Sequence, residues 1–290
     1  MKTILKLVAC WAAFGLAMIG AGTLVHFLRL RMILPPNMDT GPMHFLTVLG
    51  AGGLLVLGLW PLARGLAGSS AARAAVLGIF LLLAFGVNTI LDGAIFTSYF
   101  LGAIPAHTLI YAMQSLFLAG ALGFCFGQTG QPAGFPRRGW PAWAGRGLIA
   151  WLAWPFIYFF FGTCVAPIVV PYYQNGSVAG LHIPPMSTIF AMQLLRSVLF
   201  LASSLPLIAL WKGSRRSLWL ALGLAHAVTV GLYGLVAGTF LPAVLRIAHS
   251  VEITCDSFAY AGLLVLLFSA PAAAAAIPAA SRQEPQLRAL

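Results

Sequence analysis

The chain has 290 residues, 61% of them hydrophobic and only 7% charged, with a formal net charge of +11. A soluble domain runs at about 25% charged and 45–50% apolar, so this composition excludes an ordinary soluble fold. The basic residues are strung singly between apolar runs, which points to orientation in a membrane and away from nucleic-acid binding. Four cysteines, Cys10, Cys125, Cys164 and Cys255, lack the spacing of a disulfide framework or a zinc module.

A hydrocarbon core about 30 Å thick needs about 20 apolar residues in helix. Taken in chain order, eight stretches qualify: 7–27, 44–63, 75–97, 107–127, 148–170, 187–211, 217–239 and 250–270. The predicted fold is an all-α, polytopic membrane helix bundle with eight transmembrane helices. The Pro- and Gly-rich segment 128–147 reads as a linker. It separates a first four-helix unit (1–127) from a second (148–270), and a polar tail follows over 271–290.

Eight spans put Lys2, Lys6, Arg64, Arg73, Arg137, Arg138, Arg146, Lys212, Arg215, Arg216, Arg282 and Arg288 on one side. The other side holds only Arg29, Arg31 and Arg246. Twelve against three predicts both termini cytoplasmic, as for a multi-pass protein of a bacterial inner membrane. Leu7-Val8-Ala9-Cys10 looks like a lipoprotein signal, but only three residues separate Lys6 from Cys10. A signal needs an apolar core of about 7–15 residues there, so the first helix is read as an uncleaved span.

The two units share a pattern. Trp11-Ala-Ala-Phe…Gly22-Thr23 answers Trp151-Leu-Ala-Trp…Gly162-Thr163, and the helix opened by His107 answers the one opened by His249. Pro35-Pro36 answers Pro184-Pro185, and Leu59-Trp60 answers Leu210-Trp211. These ordered anchors predict a 4+4 parallel pseudo-repeat, its halves related by an axis along the membrane normal.

Ionisable groups within a span are costly and usually face a cavity or a partner. Of the five acids, Asp39, Asp92, Glu252, Asp256 and Glu284, three fall inside spans. At about 100° per residue, His249, Glu252 and Asp256 share one narrow arc of the eighth helix, with Arg246 at its edge. Gln193 and Arg196 share a face of the sixth helix, Asn88 and Asp92 of the third, and His107 and Gln114 of the fourth. All fall in the outer half or near the midplane, with Asp256 placed about 9 Å in along its helix. One polar cavity opening outward accounts for the whole set. In it Arg196 would anchor an anion, and Glu252, Asp256 and Asp92 would hold a cation or proton. The competing structural reading is a salt bridge from Arg196 to Glu252 or Asp256, locking the sixth helix to the eighth. On the predicted repeat Glu252 faces Ile110 and Asp256 faces Gln114, which makes the second half the main site and the first its degenerate scaffold.

The first functional reading is binding or translocation of a small solute, ion or proton, with the lipid bilayer as the surrounding partner. A second is a membrane-embedded enzyme or haem protein using His249 and Glu252; His26, His44, His107 and His249 all lie near the outer boundary. Haem A synthases resemble this layout, but their Glu-x-x-x-Glu and paired-Cys signatures are missing. No second His follows His249 at zinc-peptidase spacing, so no metal or resident cofactor is implied. A third reading is an accessory subunit that contacts another membrane protein. His226 reads as a satisfied core histidine, and Gly50-Ala-Gly-Gly53 as a place of close helix approach.

The stretch Leu245-Arg-Ile-Ala-His-Ser-Val-Glu252, together with Gln193-x-x-Arg196, resembles a group of bacterial polytopic membrane proteins with no assigned activity. The resemblance implies an eight-helix inner-membrane fold and no particular reaction.

Overall fold

The computed structural model describes residues 1–35, 38, 40–132, 134–174, 178 and 180–269. Pro36, Asp39, Glu284 and the tail from Pro271, with Arg282 and Arg288, lie outside the described residues. Eight helices among the described residues are long and apolar enough to cross a membrane. They are α1 (Lys2–Phe27), α2 (Pro42–Gly65), α3 (Ser70–Phe96), α4 (Phe100–Cys125), α5 (Trp140–Gln174), α6 (Met186–Leu210), α7 (Arg215–Ala237) and α8 (Ala243–Phe268). The chain is an all-α, multi-pass membrane protein. Helices serve here because a spanning segment must satisfy its own backbone where no water is available.

The helices outrun the apolar stretches that betray them. α5 begins at Trp140, inside the segment read as linker, because Pro141 fits a first helical turn where its missing N–H is not needed. α3 and α7 start alike. The Ser69 hydroxyl accepts from the Ala72 N–H at 3.2 Å, and the Ser214 hydroxyl from the Ser217 N–H at 3.1 Å. Each then widens into a π-helical segment, Leu81–Val87 in α3 and Val228–Leu232 in α7. These segments touch each other near the centre of the bundle.

Packing follows a closed path. α1 lies on α4, α4 on α3, α3 on α6, α6 on α5, α5 on α8, α8 on α7, α7 on α2, and α2 on α1. The α3–α7 contact pinches this ring into two lobes. Since lipid is as apolar as leucine, close fit replaces the hydrophobic effect as the driving force. Gly123 shows it: a Cβ there would stand 2.5 Å from the Ala74 backbone nitrogen, so α4 and α3 meet backbone to backbone. Gly52 likewise admits the Phe14 ring, whereas Gly50 faces open space. At one end Leu66 and Trp211 form an antiparallel bridge beyond α2 and α6. At the other, Thr97 pairs with Leu181, and Gly180, at φ +86°, lies under the Tyr99 ring.

Candidate functional site

Four helices bring their polar residues to one lobe. In α3 the π-helical segment ends at Val87, and Asn88 and Asp92 follow on the face toward α6. Arg196 of α6 is buried; its Nε donates to Asn88 Oδ1 at 2.7 Å, and its Nη2 pairs with the Asp92 carboxylate. The competing reading, a lock from the sixth helix to the eighth, is not what the structure has: the guanidinium is taken by α3. Gln193, one turn from Arg196, accepts from Trp154 Nε1 of α5 at 2.9 Å through its Oε1. Its Nε2 is buried with no partner.

On α8, His249 Nδ1 and Glu252 Oε2 are 2.7 Å apart, and the Tyr173 hydroxyl of α5 stands 3.1 Å from His249 Nε2. Tyrosine, imidazole and carboxylate thus form a continuous hydrogen-bonded chain. The second Glu252 oxygen points to Gly162; a Cβ there would lie 3.2 Å from Oε1. Asp256, one turn deeper, is buried, and its Oδ1 has no hydrogen-bond partner. The Ser257 and Tyr260 hydroxyls beyond it are also buried and unpartnered. α8 starts at Ala243, well before the apolar stretch expected from 250, so Asp256 lies about 20 Å along it, at its midpoint.

These groups form one electrostatic unit. Asp92 feels Arg196, His249 and Glu252, and Asp256 feels Glu252 and Arg196. Tyr158 of α5 feels all three carboxylates and the guanidinium. At the loop end of the cluster stands Tyr99, between α3 and α4, within electrostatic reach of Tyr173. Burial pushes its phenol above the usual range, and a hydrogen bond with Thr97 works against that rise. Beside the Arg196–Asp92 pair, a groove of about 420 Å³ opens between α3 and α6, lined by Ile95, Ser187, Thr188, Ala191, Met192 and Leu195.

His107 and Gln114 sit elsewhere. The His107 ring is stacked on Phe100 at 4.2 Å and lies 6.0 Å from Tyr111. Gln114 is buried and hydrogen-bonded with Tyr233 of α7. Neither shares a hydrogen bond or ion pair with the charged cluster among the described residues. His226 is a satisfied core histidine: its Nε2 is 2.9 Å from the Ser204 hydroxyl, within rings of Phe80, Phe200 and Tyr260. No three His, Cys, Asp or Glu side chains converge as metal ligands among the described residues.

Sequence reasoning placed α5 as a span but missed its contribution to the site. Trp154, Tyr158, Gly162 and Tyr173 lie on one helical face, and the polar tips of three aromatic residues at that spacing were the available signal. Comparison of the chain with protein-family models, curated proteins and solved structures finds no match.

Proposed function

We propose that this membrane protein binds and translocates protons or a small monovalent cation through the Asp92–Glu252–Asp256 cluster. The observation that carries the reading is the Asp256 carboxylate, buried with an oxygen that no donor reaches, while the cluster's guanidinium is engaged by Asp92 and Asn88. Three carboxylates face one Arg196, with His249 able to add one more positive charge. An ionised carboxylate away from water is costly without a partner, so Asp256 calls for a proton or a cation. The same arithmetic argues against the anion-anchor role expected for Arg196, whose charge is already matched. The Tyr173–His249–Glu252 chain supplies a route by which a proton reaches the cluster from the loop end.

The test is flux into proteoliposomes, read with pH-sensitive and cation-sensitive dyes. Asp256→Asn and Glu252→Gln are expected to lower flux at least tenfold while the protein remains folded. Wild-type flux in folded Asp256→Asn, or no proton or cation flux in the native protein, overturns the reading. The hydrogen-bonded Tyr173–His249–Glu252 chain also favours a second reading, a membrane enzyme in which imidazole and carboxylate activate a hydroxyl. Substrate turnover abolished in Tyr173→Phe, without ion flux in the native protein, would select it.

We further infer that the chain is a 4+4 duplication with both termini cytoplasmic, in a bacterial inner membrane and within the eight-helix group it resembles. Several features support the duplication. The α1–α4, α3–α4 and α1–α2 contacts recur as α5–α8, α7–α8 and α5–α6. Trp11 Nε1 donates to the Leu49 carbonyl at 2.7 Å as Trp151 Nε1 does to the Leu194 carbonyl at 2.9 Å. Pro61 answers Pro206 within α2 and α6, and Ser69 answers Ser214 as helix cap. The Trp60–Trp211 anchor is the wrong register, since Trp60 lies inside α2 and Trp211 beyond the end of α6. Reporter fusions after Lys212 and after Ile183 test the sidedness; activity of an extracytoplasmic reporter at the first site would reverse it.

A further inference from the structure

Around Asp256 the charged lobe holds further buried polar groups that the Arg196–Asp92 pair and the Tyr173–His249–Glu252 chain leave unused. Gln193, Ser257 and Tyr260 are each more than nine-tenths buried, as Asp256 is. Gln193 Nε2, Ser257 Oγ, Tyr260 Oη and Asp256 Oδ1 all lack a hydrogen-bond partner. These residues are neighbours. Asp256 and Tyr260 stand one turn apart on one face of α8, and Ser257 adjoins them. Trp154 of α5 ties α6 to that face: its Nε1 donates to Gln193 Oε1 at 2.9 Å, and its ring centroid is 5.2 Å from that of Tyr260. An indole N–H can only donate, so this bond fixes the Gln193 amide with its oxygen toward Trp154 and its NH2 group free.

The four atoms differ in what they need. Gln193 Nε2 can only donate, Asp256 Oδ1 accepts when ionised, and the two hydroxyls do either. A bare alkali cation would suit the three oxygens but would meet the positive end of the amide dipole at Gln193. Water accepts and donates, and buried water typically makes about three hydrogen bonds to groups of this kind. We propose that Gln193, Asp256, Ser257 and Tyr260 bind ordered water, and that the ion this protein carries is the proton, passed along that water. This narrows the ion of the Asp256 reading above, on which it rests. Protonated Asp256 gives its proton to the bound water, which becomes hydronium, and is reprotonated from the Glu252 side; one proton moves and none is consumed. The Tyr260 ring lies 6.5 Å from that of His226, whose Nε2 is 2.9 Å from the Ser204 hydroxyl. That pair offers the next hydrogen-bonding groups along the route.

The experiment measures proton flux and sodium or potassium flux in proteoliposomes, with thermal unfolding of each variant in detergent. The native protein is expected to pass protons and neither alkali cation. Tyr260→Phe should lower proton flux about tenfold and Ser257→Ala about threefold, as each loses one hydrogen bond to the water. Both should also unfold at a lower temperature than the native protein. Removing a hydroxyl with nothing bound to it would instead leave stability unchanged or raise it. Ser203→Ala deletes a hydroxyl already bonded to the Phe200 carbonyl at 3.1 Å, and should keep flux within about twofold. Unchanged proton flux in Tyr260→Phe, or an unfolding temperature at or above the native one, overturns the water site; if that variant does not fold, Ser257→Ala decides by the same two measures. Alkali-cation flux matching proton flux in the native protein also overturns it, while leaving the Asp256 reading in place. No flux of either kind overturns both.

Discussion

The two lobes of the bundle are filled with opposite chemistry. In one, α3, α5, α6 and α8 enclose Arg196, Asp92, Glu252, Asp256 and His249. In the other, α1, α3, α4 and α7 bring together Phe14, Phe85, Tyr111 and Tyr233 as edge-to-face aromatic pairs, with Gln114 bonded to Tyr233. On the proposed repeat, Arg196 corresponds to Ala51, Gln193 to Val48, Glu252 to Ile110 and Tyr158 to Met18. On that proposal, one scaffold is filled once with charge and once with rings. Both lobes leave buried polar atoms without a partner, Gln114 Oε1 and the Ser115 hydroxyl in the aromatic one and atoms of Asp256, Gln193, Ser257 and Tyr260 in the charged one, but only in the charged lobe is one of them a carboxylate oxygen. A carboxylate oxygen is the costliest of these to bury without a donor.

The sharpest break of this comparison is Arg196→Met. It strips Asp92 of its cation and is expected to cost about 2–3 kcal/mol of stability by thermal or denaturant unfolding in detergent. That lies below the 3–5 kcal/mol of a fully buried pair because Asp92 is 34% exposed. The double variant Arg196→Met/Asp92→Leu should recover most of the loss; if it is as unstable as the single one, the pair is not what holds α3 to α6. A smaller effect is expected at Gly162. Alanine there crowds the Glu252 carboxylate and should slow proton or cation flux several-fold, whereas Gly22→Ala, at the corresponding point of α1, meets open space and should change nothing. Equal flux in the two variants would remove Glu252 from the path. The smallest effect belongs to the aromatic lobe. Tyr233→Phe removes the bond to Gln114 and should cost about 1 kcal/mol in unfolding, with flux unchanged. A flux defect there would show that the two lobes act together.

Much of this was legible before any coordinates. Hydropathy located every span because a spanning chain has few options besides helix. The charged set was legible because an ionised side chain in an apolar run is conspicuous for its cost. His107 and Gln114 misled for a related reason: polar residues at helical spacing predict a shared face, but not which neighbour that face meets. Their face turns to Phe100 and Tyr233, away from Arg196. Tyr158 and Tyr173 escaped notice because aromatic rings in a span read as packing until their hydroxyls are seen among charges.

By itself, then, the sequence determined that this is an eight-helix membrane protein and that Asp92, Arg196, Glu252 and Asp256 are its expensive residues. Only the tertiary structure decided that Arg196 bonds to α3 and that Asp256 Oδ1 is left without a donor. The reason is geometric. Periodicity fixes which residues share a face, but not the order of helices around the ring. A π-helical segment adds a residue to a turn, which rotates everything beyond Val87 by about 100° relative to a regular α-helix. That rotation sets which neighbour Asn88 and Asp92 meet, and it is not written in the hydropathy of α3.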